Sequence, residues 1–242
     1  MAYLECSLGD EDDDVTDRIA LPASPGTLTR RSALAGGVLT CCAGFALPAL
    51  AQRGGPNIAV DELAKSGADL PDIVVGKADA PVTIIEYASM TCPHCATFHA
   101  TVLPQLKTKY IDTGKAKLIF REFPLDDLAM AASMLARCAG GEGPAALISD
   151  LFKRQETWAF VRSNPVPKLF EMAKQAGFTQ ASFDKCLTDQ KLLDQITAIR
   201  KRGGDVFKVT STPSFFVNGT RVSGGGTLAD FEKLIEPLLP KS

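Results

Sequence analysis

The chain has 242 residues, with 26 basic and 28 acidic side chains and a net charge of −2. A balance so close to neutral, with no basic stripe, argues against nucleic acid as a partner. The sequence contains seven cysteines, whose meaning depends on the compartment in which the protein works.

Residues 1–51 have the features of an export signal. Arg30 and Arg31 precede an uncharged apolar stretch at 33–46, and "ALA" at 49–51 provides a small-residue cleavage site. The apolar stretch is shorter than the ~20 residues that span a bilayer. We therefore predict a twin-arginine signal peptide that is removed after Ala51, which gives a periplasmic protein; a retained membrane anchor is the alternative.

Removal of the signal changes the cysteine count and the charge. The remaining chain has 23 basic residues (26 − 3) against 21 acidic ones (28 − 7), a net charge of about +2. Its 191 residues suffice for one domain with a core, with or without a large insertion. The four cysteines that remain, an even number that suits two disulfides, are Cys92, Cys95, Cys138 and Cys186.

The first predicted elements surround a Cys-x-x-Cys sequence. Residues 52–79 read as a lead-in segment with one brief helix, and "APVTIIEYAS" (80–89) reads as a strand buried on both faces. "CPHC" follows at once. Next comes a helix at 96–110, kinked at Pro104, and then a second buried strand at 116–125. These segments predict a βαβ unit with the cysteines at the start of its helix.

The rest of the chain is first helical and then returns to strands. From Asp126 to about Lys208 five helical segments are separated by Gly, Pro and Asn breaks. "TPSFFVNGTRVSG" (212–224) then predicts a hairpin that turns at Asn218-Gly219, and an amphipathic helix closes the chain. The overall order is ββαβ, helices, ββα.

Several of these features together resemble the DsbA-type thiol:disulfide oxidoreductases of the thioredoxin superfamily. They are Glu86 six residues before the first cysteine, "CPHC" on a helix start, the helical insertion, and Thr212-Pro213 leading into "SFFVNG". The resemblance implies an α/β thioredoxin fold with an inserted all-helical subdomain. The implied parts are a removed signal (1–51), a lead-in (52–79), a thioredoxin-like domain (80–125 and 205–242) and an inserted helical subdomain (126–204).

The resemblance also implies a function. Such an enzyme donates its disulfide to reduced exported proteins and is reoxidised by a membrane-bound thiol oxidase, without a cofactor or a metal. A thiol reductase or isomerase, or a metal-binding chaperone, could use the same cysteines. Related isomerases need a dimerisation domain, for which the lead-in is too short, so we expect a monomer.

The positions of the two cysteines predict different roles. A thiolate attacks disulfides, and a helix N-terminus favours the anion, so Cys92 is the predicted nucleophile. Cys95, one turn further in, is the predicted resolving thiol. Pro93 suits the first helical turn because its missing N–H costs nothing there. His94, when protonated, places a positive charge beside the thiolate and makes the disulfide a stronger oxidant.

Two other interpretations of these cysteines remain. Cys92, Cys95 and His99 form C-x2-C-x3-H, which could be a zinc or copper site with His94 as a fourth ligand. Otherwise the cysteines are merely structural. We expect His99 on the helix surface near the site.

Two further positions are candidates because of the resemblance. An acidic residue at the position of Glu86 lies beneath the resolving cysteine and takes its proton; alternatively, Glu86 is exposed at the strand end or pairs with Lys117 or Arg121. Thr212-Pro213 resembles the cis-proline loop that faces the disulfide and pairs with an extended substrate.

Cys138 and Cys186 lie on two of the inserted helices. The sequence allows a structural disulfide that closes a loop of about 48 residues. A second redox pair and two separate buried thiols are the alternatives.

Overall fold

The computed structural model describes residues 58–140, 143–224 and 226–240. The predicted export signal and its cleavage site lie outside these ranges. None of the helices within them combines the length and the apolar composition that crossing a bilayer requires.

A mixed five-stranded sheet forms the centre of the described chain, with strand order β1-β3-β2-β4-β5. β2 runs parallel to β3, whereas the other neighbouring pairs are antiparallel. The predicted order ββαβ, helices, ββα is confirmed. The strands are β1 (Ile73–Val75), β2 (Val82–Ala88), β3 (Ala116–Glu122), β4 (Ser214–Val217) and β5 (Thr220–Arg221).

The central strand β2 is covered on both faces, because alternate side chains of a strand point in opposite directions. Val82 and Ile84 pack in one apolar cluster with residues of the helix that carries the cysteines and of the C-terminal helix. Ile85 and Tyr87 pack on the opposite face. Glu86 is therefore on the same face as Ile84, beneath the helix that carries the cysteines.

The helices before and after the insertion are α1 (Val60–Ala64), α2 (Pro93–Thr101), α3 (Leu103–Leu106) and α10 (Leu228–Ile235). The sequence predicts one kinked helix over 96–110. The structure instead breaks this segment at Val102, before Pro104, and continues it with a π-helical stretch at Lys107–Ile111. The missing N–H of proline explains the break.

Six helices lie between β3 and β4 in the described chain, one more than the sequence predicts. The unpredicted one is the four-residue helix α6. The six are α4 (Asp127–Cys138), α5 (Gly143–Lys153), α6 (Gln155–Trp158), α7 (Val166–Gln175), α8 (Gln180–Leu187) and α9 (Gln190–Asp205). Their apolar side chains form a third cluster, which also contains both cysteines of the CPHC sequence.

The hairpin between β4 and β5 turns at the predicted dipeptide. Asn218 and Gly219 have φ angles of 41° and 89°, the left-handed conformation that such two-residue turns require. A side chain on Gly219 would also collide with the backbone of Ile58, since an added Cβ would lie 2.2 Å from its carbonyl oxygen.

Candidate active site

Cys92 lies at the junction between strand β2 and helix α2. Its backbone is extended (φ −82°, ψ 118°), and the helix begins at the next residue, Pro93. The N–H of Cys92 donates to the carbonyl of Ser89 at 3.1 Å, which fixes the turn. The sulfur therefore lies at the helix N-terminus, near the backbone N–H groups of His94 and Cys95, and the residue remains 6% exposed.

This position favours the thiolate of Cys92. Its pKa is lowered to about 5, mainly by a hydrogen bond from the Cys95 thiol. Thr212 and the backbone N–H groups of Cys95 and His94 act in the same direction, whereas burial opposes them. Cys92 is thus ionised at neutral pH.

Cys95 has the opposite character. Its side chain is fully buried, and burial raises its pKa well above the ordinary value; the hydrogen bond to Cys92 and the negative charge of Glu86 raise it further. The two cysteines are free thiols in this structure. Within one helical turn the site therefore contains a thiolate that keeps a small exposed fraction and a thiol that is fully buried.

The loop before β4 faces Cys92. The peptide bond between Thr212 and Pro213 is cis, and Sγ of Cys92 lies 3.3 Å from the carbonyl oxygen of Thr212. The Thr212 hydroxyl is buried and has no hydrogen-bond partner among the described residues. His94 is exposed, and it lines a groove of about 480 Å³ together with Thr212, Pro213 and neighbouring residues.

Glu86 is fully buried, and its partner is not one that the sequence suggested. Oε2 lies 2.9 Å from Nε2 of His99, while Oε1 has no hydrogen-bond partner among the described residues. The suggested pairing with Lys117 or Arg121 is wrong. Lys117 donates to the carbonyl of Ala78, and Arg121 donates to carbonyls of the lead-in segment.

His99 is not on the surface as the sequence indicated. Its side chain is only 10% exposed. Its ring lies against Phe152 of α5, with the ring centroids 4.2 Å apart. The expectation was wrong because it treated α2 as a helix with a free outer face, whereas the inserted helices cover that face.

Gln155 is a site residue that the sequence analysis missed. It is buried on α6, and its side-chain amide donates to the carbonyl of Met90 at 2.8 Å and to that of Cys92 at 3.0 Å. The insertion therefore holds the backbone of the CPHC turn directly. A single glutamine in a four-residue helix gives no sequence signal for this role.

A second connection links the same turn to the start of α4. The Thr91 hydroxyl donates to Asp126 Oδ2 at 2.6 Å, and Oδ1 of this carboxylate accepts the N–H of Ala129 at 2.7 Å. Asp126 thus caps α4 and fixes the cysteine turn with the same side chain.

Cys138 and Cys186 are bonded to each other in the structure, with Cα atoms 6.2 Å apart. They join the end of α4 to α8. The described residues contain no group of three or more His, Cys, Asp or Glu side chains that could hold a metal ion.

Comparison with known proteins relates this geometry to a family. The family model described as Thioredoxin matches residues 69–237. A Rickettsia bellii protein named "Putative protein-disulfide oxidoreductase" is 39% identical over 155 residues. The match covers 63% of this chain and 59% of that protein, so the chain spans less than two thirds of this relative.

Solved structures show the same fold over most of their length. The crystal structure of alpha-DsbA1 from Wolbachia pipientis is 32% identical, with a TM-score of 0.64, and the match covers 70% of this chain and 93% of that one. BdbD from Bacillus subtilis, at 21% identity and a TM-score of 0.61, shares the fold over 69% of this chain and 92% of its own. The predicted thioredoxin fold with inserted helices is therefore confirmed, and the chain belongs to the thioredoxin family, on its DsbA-like branch.

Proposed function

We propose that this protein is a thiol:disulfide oxidoreductase that donates a disulfide between Cys92 and Cys95 to reduced exported proteins. The observation that carries the proposal is the difference between the two thiols. Cys92, at the helix N-terminus, has a pKa of about 5, and the buried Cys95 has a raised pKa.

The two environments assign an order to the thiol exchange. A substrate thiolate attacks Cys92, the less buried sulfur, and breaks its bond to Cys95, which leaves and takes up a proton because its pKa is raised. A second substrate thiolate then attacks the substrate sulfur of the mixed disulfide and expels Cys92 as a thiolate. Two electrons pass to the enzyme, and the substrate gains one disulfide.

The low pKa of Cys92 sets the favoured direction. A thiol that is ionised at neutral pH stabilises the reduced enzyme, and a stable reduced form makes the disulfide a strong oxidant. This argument favours a disulfide donor over a reductase.

The groove beside the cysteines supports a protein substrate. Thr212 and Pro213 border it next to Cys92, and an extended segment that lies there would bring its own cysteine close to the sulfur. His94 lines the same groove, and the preceding Pro93 is exposed beside it. We propose that the seven residues Glu86, Cys92, Pro93, His94, Cys95, Thr212 and Pro213 form the site.

The proposed location and partners depend on the sequence of the leader. A twin-arginine signal over 1–51 would deliver the protein to the periplasm, where disulfides persist. There a membrane-bound thiol oxidase would restore the Cys92–Cys95 bond. We propose that the enzyme works as a monomer.

The reduction potential of the Cys92–Cys95 pair tests the direction of transfer. Equilibration with glutathione should give a value towards the oxidising end of the family, about −120 to −180 mV, with rapid oxidation of a reduced test protein and poor rescue of a scrambled one. A value near −270 mV would indicate a reductase. A stable dimer by light scattering, together with efficient rescue of the scrambled protein, would indicate an isomerase.

A further inference from the structure

His99 connects the buried carboxylate of the site with the outside of helix α2. One end of its ring, Nε2, lies 2.9 Å from Glu86 Oε2. Glu86 is fully buried, and its other oxygen, Oε1, has no hydrogen-bond partner among the described residues. Within that part of the chain, His99 is therefore the hydrogen-bond partner of the carboxylate.

The ring of His99 also borders an open groove. This groove, of about 940 Å³, runs between the α2–α3 side of the site and helices α5 and α6. It includes exposed residues such as Thr108 and Lys153, so water reaches it. His99 is thus in contact with the buried carboxylate on one side and with solvent on the other.

Turnover of the buried Cys95 requires a path for protons between its sulfur and solvent. The thiol is fully buried, and it must gain one proton and lose one proton in every catalytic cycle. Glu86 is close enough for its charge to raise the pKa of Cys95, but Glu86 is itself shielded from solvent. A carboxylate that exchanges protons with Cys95 therefore needs a neighbour that exchanges protons with water. Histidine is the side chain that does so near neutral pH.

We propose that His99 carries protons between Glu86 and the groove bounded by α2, α3, α5 and α6, and that Cys95 is protonated and deprotonated by this route. The inference rests on the proposed function, because only turnover of the two cysteines requires the protons to move. His99 acts through Glu86 and is therefore a positioning residue.

The proton balance of the route is complete. During donation, the leaving Cys95 thiolate takes a proton from the Glu86 carboxyl group, His99 reprotonates Glu86, and water in the groove reprotonates His99. During reoxidation each transfer runs in reverse. No electrons pass through His99.

Other charged groups lie beside His99 or along the groove that it borders. Glu86 of β2 faces it directly. The groove that it borders also carries charged side chains from the π-helical stretch, α5, α6 and the residues that flank them: Lys107, Asp112, Lys153, Arg154 and Glu156.

The test isolates the attack of Cys95. Reduced protein is mixed with the aromatic disulfide dithiobis(nitrobenzoate), and the release of the coloured thiolate is followed by stopped flow. The first release reports attack by Cys92, and the second reports attack by Cys95 on the Cys92 mixed disulfide. The variants are His99→Gln, which can keep a hydrogen bond but does not titrate, and His99→Ala, which opens space for added imidazole.

We expect His99→Gln to slow the second release roughly tenfold, less than the ~10²–10⁴-fold that direct proton transfer contributes, and to flatten its dependence on pH between about 5 and 8. The first release should be unchanged. Imidazole should accelerate the second release in His99→Ala, but not when Glu86→Gln is also present. As a packing control, Phe152→Leu removes the ring that lies on His99 and should keep the second release within about twofold of the unsubstituted protein.

Three results would overturn the proposal: an unchanged second release in His99→Gln, an equal effect of imidazole with and without Glu86, or an equal loss in Phe152→Leu. The assay uses a small disulfide and a single turnover, so it gives a result even if the protein donates no disulfide to proteins. Failure of the donor proposal would appear separately, in the reduction potential and in the oxidation of the reduced test protein.

Discussion

The two cysteine pairs of this protein lie at opposite ends of their helices. Cys92 precedes the first residue of α2, where backbone N–H groups are free. Cys138 is the last residue of α4, and Cys186 is the residue before the last of α8, so both lie at the carbonyl ends of their helices. The positive end of a helix dipole therefore faces Cys92, and the negative ends face Cys138 and Cys186.

This difference separates two uses of the same side chain. A helix N-terminus stabilises a thiolate, so a disulfide that includes Cys92 is easily reduced and suits exchange. A helix C-terminus disfavours the thiolate, so reduction of the Cys138–Cys186 bond gains no such stabilisation. Helix polarity thus favours an exchanging pair in the first position and a structural crosslink in the second.

The largest expected effect comes from removal of the nucleophile. Cys92→Ser should abolish the oxidation of a reduced test protein, because Cys95 is fully buried and cannot meet a substrate thiol. The assay is the appearance of active test protein, with the unsubstituted enzyme as the control. Substrate adducts trapped through Cys95 in this variant would reverse the assigned roles.

Removal of the resolving thiol should stop turnover at a later step. Cys95→Ala should accumulate mixed disulfides on Cys92, visible by non-reducing electrophoresis. It should also raise the pKa of Cys92 from about 5, because the hydrogen bond from Cys95 is the largest cause of the lowered value. The ultraviolet absorbance of the thiolate measures this shift: as pH falls, the signal should disappear earlier in the variant than in the parent. An unchanged midpoint would assign the low pKa to Thr212 and the helix N-terminus.

The second pair should matter for stability. Joint replacement of Cys138 and Cys186 by alanine frees a loop that spans 48 residues, and we expect the free energy of unfolding in urea to fall by about 2–4 kcal/mol. The thiolate titration of Cys92 provides the control and should keep its midpoint. A stability equal to that of the parent protein would show that the insertion is held by its apolar core alone.

The sequence predicts the parts of this site that depend on short spacing along the chain. Cys92, Pro93 and Cys95 lie within one turn of a helix, so the pattern indicates their relation directly. The Glu86–His99 contact depends on how far β2 twists beneath α2, and the burial of His99 depends on Phe152 from an inserted helix. Such contacts across elements leave no periodic signal.

For the fold, the sequence likewise predicts the long elements and misses a short one. Long apolar segments gave β2, β3 and five of the six inserted helices of the described chain, with ends shifted by a few residues. The four-residue helix α6 escaped prediction because so short a helix is stabilised by packing and not by its own sequence. Gln155, which holds the cysteine turn, lies on that helix.

A smaller effect should come from replacing Gln155, whose hydrogen bonds join the inserted helices to the cysteine turn. Gln155→Leu removes the buried donor to the carbonyl of Met90 and one donor to that of Cys92, which keeps the N–H groups of Cys95 and Ala96; the free energy of unfolding should fall by about 1–3 kcal/mol. Gln175→Leu is the matched control: this glutamine is exposed and accepts a bond from Arg154, so its loss should cost less than about 0.5 kcal/mol. Equal effects in urea unfolding would remove Gln155 from the support of the site.

The smallest expected effect concerns Glu86, where two consequences of one substitution oppose each other. Glu86→Gln removes a negative charge that raises the pKa of Cys95, so the variant should contain more Cys95 thiolate and attack a mixed disulfide faster. The same change removes the group that exchanges protons with Cys95, which should slow the attack. We expect the second effect to be the larger, with attack roughly tenfold slower at neutral pH and a flatter pH profile.

Because the lowered pKa of Cys92 arises mainly from Cys95, the pKa of Cys92 should shift only slightly in Glu86→Gln. Single-turnover release from the Cys92 mixed disulfide decides between the effects: a faster release would reduce Glu86 to a source of charge, and Cys95 would then exchange its proton without it.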